Sequence, residues 1–179
     1  MGPGLTRPDE DMARRIVALE RQVQNLLNRK PNQRKIQARR TTNQTLTTAV
    51  WSAVSFNAID TDTDGSYLAG SPDRFTFKTA GFWVMGCQAV FAGNNVGVRL
   101  VGINYNSTSL GAINSQIARV DPNSHTPAYA NHVALAIGKQ MIVGDYVIPC
   151  VYQDSGGNLD LTSDTVPVGF TFWAFRYSG

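Results

Sequence analysis

Apolar runs of strand length, separated by turn residues, follow one another through most of the sequence after residue 41. Examples are DRFTFKT, GFWVMGCQAVF, VGVRLVGINY, YVIPCVYQ and VGFTFWAFRY, each bounded by Gly, Asn, Asp, Ser or Pro. The turn residues recur about every 8–15 residues, and no segment between them has the period of a helix. This spacing is typical of an all-β sandwich or jelly roll, and it excludes a parallel α/β fold, whose strands alternate with helices.

The run GFWVMGCQAVF is apolar on both of its faces. Alternate residues from Trp83 to Phe91 form one face, and those from Phe82 to Val90 form the other, with Gln88 as the polar exception. A sandwich standing alone would expose one of these faces to water. The closing run has the same two-faced character, so we expect its second face to meet another subunit of a homo-oligomer. The predicted interface residues are Phe170, Phe172, Trp173 and Phe175.

The first forty residues differ in character from the rest of the chain. They carry ten Lys and Arg against four acids, whereas residues 41–179 carry six against nine. Five apolar residues alternate at spacings of four and three, which predicts a short coiled coil within a helix over residues 1–30. Barely three heptads do not hold strands together alone, so the head must contribute to assembly; the alternative is an amphipathic helix docked on its own domain. The coil residues are Met12, Ile16, Leu19, Val23 and Leu26.

A basic segment, KPNQRKIQARR, begins at Lys30, where the predicted helix ends, and has no apolar face of its own. We interpret residues 31–44 as an extended linker that leads into a head domain over 45–179. Its cations predict docking on an acidic protein surface of a larger particle, with a solvated linker as the alternative. Nucleic acid is not the expected partner because no aromatic residues interleave the basic ones. The candidate docking residues are Arg34, Lys35, Arg39 and Arg40.

The sequence contains no catalytic motif, so we expect a protein that is not an enzyme. His125 and His132 do not have a metal-binding or catalytic spacing, and Cys87 and Cys150 lie in apolar runs, where unpaired buried thiols are expected. No stretch is apolar enough to span a membrane and no secretory signal is present, which predicts synthesis in the cytoplasm without membrane insertion.

An acidic loop is the one candidate metal site, and no other cofactor is expected. Asp60, Asp62 and Asp64 alternate before Gly65, as in the opening of an oxygen-rich calcium loop. Ser71 stands where an EF-hand supplies its bidentate Glu, so the ligand set is incomplete. The alternative is a loop whose carboxylates accept hydrogen bonds from its own backbone.

Several short motifs, taken in order, resemble the globular heads of the complement and tumour necrosis factor families in their bacteriophage form. They are the strand entry GFWV at 81–84, the turn GDYV at 144–147, the hairpin SGG at 155–157 and the aromatic C-terminal strand. The resemblance covers about residues 45–179. It implies a ten-stranded jelly roll that forms a homotrimer, and phage proteins of this kind are commonly virion components.

The resemblance therefore predicts a non-enzymatic virion protein, a trimeric tail or tail-tip component that displays its heads for attachment to the host surface. The N-terminal segment would bind other virion proteins, and a cell-surface glycan or protein would be the host partner. Avidity of three heads suits such adsorption. Two alternatives stay open, a capsid decoration or head fibre protein and a soluble secreted trimeric ligand.

Overall fold

A computed structural model of the chain describes residues 15–21, 33–112, 114–120, 131–162 and 169–177, with the backbone alone at 131 and 132. The chain divides into two compact units, Met1–Gln33 and Arg34–Gly179. In the first unit, residues 15–21 are helical, and Ile16 and Leu19 are 50% and 60% exposed. The other three residues of the predicted coil, Met12, Val23 and Leu26, lie outside the described residues, so the coiled coil stays a prediction.

The second unit, here called the head, is an antiparallel β-sandwich. The resemblance implied ten strands, and the described residues contain thirteen because several short ones accompany the long strands. The strands are β1 (Lys35–Arg39), β2 (Gln44–Leu46), β3 (Ser52–Ala53), β4 (Ala58–Asp62), β5 (Tyr67–Leu68), β6 (Ser71–Thr76), β7 (Gly81–Phe91), β8 (Arg99–Tyr105), β9 (Gln116–Val120), β10 (Asn131–Met141), β11 (Tyr146–Gln153), β12 (Leu159–Leu161) and β13 (Thr171–Tyr177).

Seven of the described strands form sheet A, in the order β2-β12-β7-β13-β1-β4, with β10 on the other edge of β7. The long strand β7 pairs with β10 over its whole length, from Gly81↔Met141 to Phe91↔Asn131. Its opposite edge pairs with β13 and then with β12. The strand that the sequence marked as two-faced is therefore central in its sheet.

Six of the described strands form sheet B, in the order β5-β6-β11-β8-β9, with β3 also beside β11. The strand β11 is central although it contains Pro149, which has no N–H to donate to a ladder. The N–H that Pro149 lacks would point to the same edge as its carbonyl, which accepts the Val54 N–H at 3.1 Å where the two-residue ladder with β3 ends. The missing donor thus falls at the end of a pairing.

The core between the sheets is aromatic. Phe75 of sheet B stacks on Phe172 of sheet A with ring centroids 4.4 Å apart, and Phe56 packs edge-on against both Phe75 and Phe170. Phe170 and Phe172 are fully buried within one chain. Their predicted place in a subunit interface is therefore wrong, because they fill the centre of the sandwich instead.

The first strand lies within the segment predicted to be a linker. Ile36 and Ala38 are buried between exposed or partly exposed neighbours, and β1 pairs with both β13 and β4. The linker prediction for 31–44 is thus wrong from Lys35 onward, because two apolar residues at alternate positions are enough to give the strand an inward face. The described helical residues contain no segment long and apolar enough to cross a membrane.

Candidate functional site: the outer face of sheet A

The face of sheet A that points away from the core is apolar across its central strands. In β7 the inward residues Trp83, Met85 and Cys87 are buried, so Phe82, Val84 and Gly86 point outward. In β13 the inward residues are Phe172 and Ala174, so the alternation puts the neighbouring aromatic residues on the outer face. These are Trp173, Phe175 and Tyr177, of which Trp173 and Phe175 belong to the predicted interface.

Strand register arranges these side chains in rows. Phe82 lies between Tyr177 and Gln140, and Val84 lies between Phe175 and Gly138. In the third row, Gly86 separates Trp173 from Ala136. The large apolar residues thus come from β7 and β13, whereas β10 contributes smaller or polar ones, and the outer face forms aromatic ridges beside a shallow strip.

Two glycines provide the space in which the aromatic rings lie against the sheet. A Cβ at Gly86 would be 2.5 Å from Cζ2 of Trp173, and a Cβ at Gly138 would be 2.4 Å from Cζ of Phe82. Trp173 and Phe175 stack, with ring centroids 5.8 Å apart and an angle of 13° between their planes. The rings are therefore fixed in position before any partner binds, which lowers the entropy cost of association.

Exposure of this face carries a free-energy cost that association would remove. Phe82 and Tyr177 are 44% and 62% exposed, and Val84, Trp173 and Phe175 are partly exposed. Burial of such side chains stabilises by roughly 25 cal/mol per Å² of apolar area. A contiguous apolar face of this kind indicates a binding surface rather than a solvated one.

The residues proposed for particle docking lie in or beside β1, the polar strand that pairs with β13 in the same sheet. Arg34 donates to the Thr63 carbonyl, and Arg39 forms an ion pair with Asp60 at 2.9 Å. Arg40 donates to the carbonyls of Ser55 and Asn43, and burial lowers the pKa of its guanidinium. Lys35 is exposed. Their docking role stays a prediction.

The three aspartates of the acidic loop serve different partners. Asp60 binds Arg39, and Asp62 accepts the backbone N–H groups of Ser66 and Tyr67. Asp64 is buried and accepts hydrogen bonds from Ser66 Oγ and Lys78 N through one oxygen. Of the three, only Asp62 makes the hydrogen bonds to the loop's own backbone that were the alternative to calcium. Within the described ranges, no group of three His, Cys, Asp or Glu side chains is placed to hold a metal ion.

The cysteines are unpaired and buried, as the sequence predicted. Burial raises the pKa of Cys87 well above its ordinary value and raises that of Cys150 to about 12, which keeps both thiols protonated and unreactive at neutral pH. Of the two histidines, His125 lies outside the described residues, and so does the side chain of His132.

A polar network that was not predicted from the sequence lies below the turn that joins β10 to β11. The Asp145 carboxylate accepts hydrogen bonds from Ile142 N (2.8 Å), Tyr105 Oη (2.9 Å) and Asn106 Nδ2 (2.7 Å). Burial alone would raise its pKa, but these hydrogen bonds and the nearby charge of Lys139 outweigh burial and lower it. The sequence shows only a Gly-Asp pair in a turn, because the side-chain partners come from β8 and the residue after it, about forty residues away.

Comparisons with known proteins identify the fold. No protein-family model matches the chain, and no curated protein sequence matches it. Among solved structures, murine APRIL is similar with a TM-score of 0.58 at 10% identity, covering 81% of this chain and 99% of that one. The globular domain of zebrafish complement 1qA is similar with a TM-score of 0.53 at 15% identity, covering 81% and 98%. The chain thus has the jelly-roll fold of the complement and tumour necrosis factor heads, as the motifs predicted.

Proposed function

We propose that this chain is a non-enzymatic display protein that forms a homotrimer through the outer face of sheet A. The proposal rests on a continuous apolar surface on two adjacent strands, β7 and β13. It consists of Phe82, Val84, Trp173, Phe175 and Tyr177. Two glycines leave the space in which the rings of Trp173 and Phe82 pack against the sheet. Heads of this fold typically form homotrimers, which favours three copies over two. The neighbouring families are non-enzymatic, in agreement with the expected absence of catalysis.

Trimerisation would convert one weak contact per head into a strong attachment. Three linked binding sites raise the apparent affinity by orders of magnitude because the second and third contacts are intramolecular. The proposed role is therefore multivalent attachment to a surface that presents many copies of one ligand, such as a cell-surface glycan or protein.

From the resemblance of the sequence motifs to the bacteriophage form of these heads, we propose a place in the virion, in the tail or tail tip, with a capsid decoration as the related alternative. A soluble trimeric ligand is the second candidate, and the likeness of the head to a murine and a zebrafish protein favours it. Mass spectrometry of purified virions and of particle-free medium distinguishes the two locations. A virion component would be found in the first, and a soluble ligand in the second.

The assembly is tested with a pair of charge substitutions. Trp173→Glu places a carboxylate in the centre of the outer face, whereas Leu68→Glu places one at a residue of β5 that is 56% exposed and belongs to the other sheet. We expect the wild type and Leu68→Glu to sediment as trimers and Trp173→Glu as a folded monomer. A Trp173→Glu variant that stays trimeric, with an unchanged circular dichroism spectrum, would contradict the proposal.

A further inference from the structure

The turn between β10 and β11 exposes two aliphatic side chains at the end of the head. Ile142 and Val143 are 64% and 63% exposed. Asp145 N donates to the Ile142 carbonyl at 3.1 Å, and Gly144 has a φ of +93°, which is a type II turn with glycine at its third position. This geometry requires the glycine, but it makes no demand for aliphatic residues at 142 and 143. Their exposure is not explained by the fold.

The turn is held rigidly from below. Gly144 N donates to the Phe77 carbonyl at 2.9 Å, and Phe77 N donates to the Asp145 carbonyl at 2.8 Å. The Asp145 carboxylate adds the hydrogen bonds to Ile142 N and Tyr105 described above. The two aliphatic side chains are thus presented on a braced backbone, and little further ordering would be needed for them to bind.

Three cations lie on or beside the strands that flank this turn. Lys78 is exposed and follows Phe77, which is hydrogen-bonded to the turn. Lys139 stacks its ammonium on the Tyr105 ring at 4.1 Å, and Arg74 lies 4.2 Å from the ring centroid of Tyr146. The hydrogen-bonded carboxylates of this region, those of Asp145 and Asp64, are buried, whereas Lys78 is exposed and Lys139 and Arg74 are partly exposed. These cations are therefore more accessible to solvent than the two acids.

We infer that this tip, defined as Ile142 and Val143 with Lys78, Lys139 and Arg74, docks on the surface of an anionic lipid membrane. Exposed aliphatic side chains enter the boundary between headgroups and acyl chains, while neighbouring cations attract the anionic headgroups. A protein partner fits less well, since a specific interface buries about 800 Å² on each side and a two-residue projection is too small for that. A fluid bilayer closes around such a projection.

The contact of one tip with the lipid surface does not require assembly, although the avidity of three tips rests on the proposed trimer. Rotation about a threefold axis keeps all three tips at one height along that axis, so a trimer would present them together. A monomeric Trp173→Glu variant should therefore still prefer anionic vesicles, only more weakly. Its sedimentation reports on the trimer and its vesicle binding reports on the tip, so the two proposals fail separately.

Vesicle co-sedimentation tests the tip directly. We expect the full chain to bind phosphatidylcholine vesicles that contain phosphatidylserine and not vesicles of phosphatidylcholine alone. The double variant Ile142→Asp with Val143→Asp should lose binding about tenfold or more. The double variant Leu68→Asp with Val96→Asp, at residues that are 56% and 53% exposed, adds the same charge elsewhere; it is the matched control and should bind like the wild type. Failure of the wild type to bind, or equal binding by the double variant, would overturn the inference.

A fluorescent label gives a second measurement that does not rely on a charge substitution. Because Cys87 and Cys150 are buried, Val143→Cys can be labelled selectively with an environment-sensitive dye under native conditions. We expect a blue shift on addition of anionic vesicles at position 143 and none for the control Leu68→Cys. An unshifted label at 143 in a chain that binds the vesicles would overturn the inference, because other residues, such as the basic ones before position 40, would then carry the binding.

Discussion

The buried carboxylate of Asp145 contributes to the stability of the head at neutral pH, and this contribution is lost in acid. Its pKa is lowered in the folded state, so it stabilises the fold above the ordinary Asp pKa of about 3.9, and this contribution is lost as the pH falls through the lowered value. Asp145→Asn replaces an acceptor oxygen by a donor amide. We expect a loss of about 1–3 kcal/mol in the free energy of unfolding at pH 7. Urea unfolding at pH 7 and pH 3 should also show a weaker pH dependence in the variant, and an unchanged dependence would contradict this role.

The thiols of Cys87 and Cys150 should report on unfolding. Both are buried and their pKa values are raised, so the reactive thiolate is scarce and inaccessible in the folded head. We expect no reaction with a thiol reagent at pH 8 under native conditions and two equivalents after denaturation in urea. Rapid native labelling of either residue would show that the core opens far more readily than its packing indicates.

Side-chain orientation in β13 was the part of the site that the sequence left undetermined. The residues from Phe170 to Phe175 are aromatic at most positions, so alternation shows two apolar faces without showing which one faces the core. The structure assigns Phe172 inward and Trp173 outward. Gly86 opposite Trp173 was the available signal, but reading it requires the register between β13 and β7, which only the folded chain provides.

At the level of the strand, Gly86 determines how Trp173 lies on the outer face. A Cβ at this position would be 2.5 Å from the Trp173 ring and 2.6 Å from the Leu135 carbonyl oxygen, so Gly86→Ala must displace both the ring and the β10 backbone, or shift β7 itself. We expect a loss of about 1–3 kcal/mol in the free energy of unfolding, together with weaker trimerisation. Gly70→Ala is the control, since a Cβ there meets no atom within 4 Å. Equal effects of the two substitutions in urea titrations would be inconsistent with this packing.

The strand β1 determines where the chain can be shortened. Its residues pair with β13 on one side and with β4 on the other, so they are part of sheet A although their sequence is basic. Deletion of residues 1–33 should leave a folded head with an unchanged melting temperature, whereas deletion of residues 1–40 should remove an internal strand of the sheet and prevent folding. Thermal unfolding followed by circular dichroism compares the two. A cooperative transition in the longer deletion would show that β1 is dispensable.

For the whole molecule, the sequence was sufficient to predict the sandwich and the surplus apolar surface. Apolar runs of strand length and the turn residues between them predict the sheets. The two apolar faces of β7 predict a surface that a single sandwich leaves uncovered. No comparable sequence pattern predicts the number of copies in the assembly or the position of the chain in a larger particle. Both properties depend on the shape of a surface assembled from distant strands. The same types of residue form the interface in a dimer and in a trimer.

The outer face of sheet A is proposed to join three chains, and the molar mass in solution distinguishes this trimer from a single head. Multi-angle light scattering of the purified chain at micromolar concentration should give three times the 19.5 kDa mass of one chain. Trp173→Glu should give the mass of one chain while remaining folded. A wild-type protein that elutes with the mass of a single chain at micromolar concentration would show that this face does not join the chains.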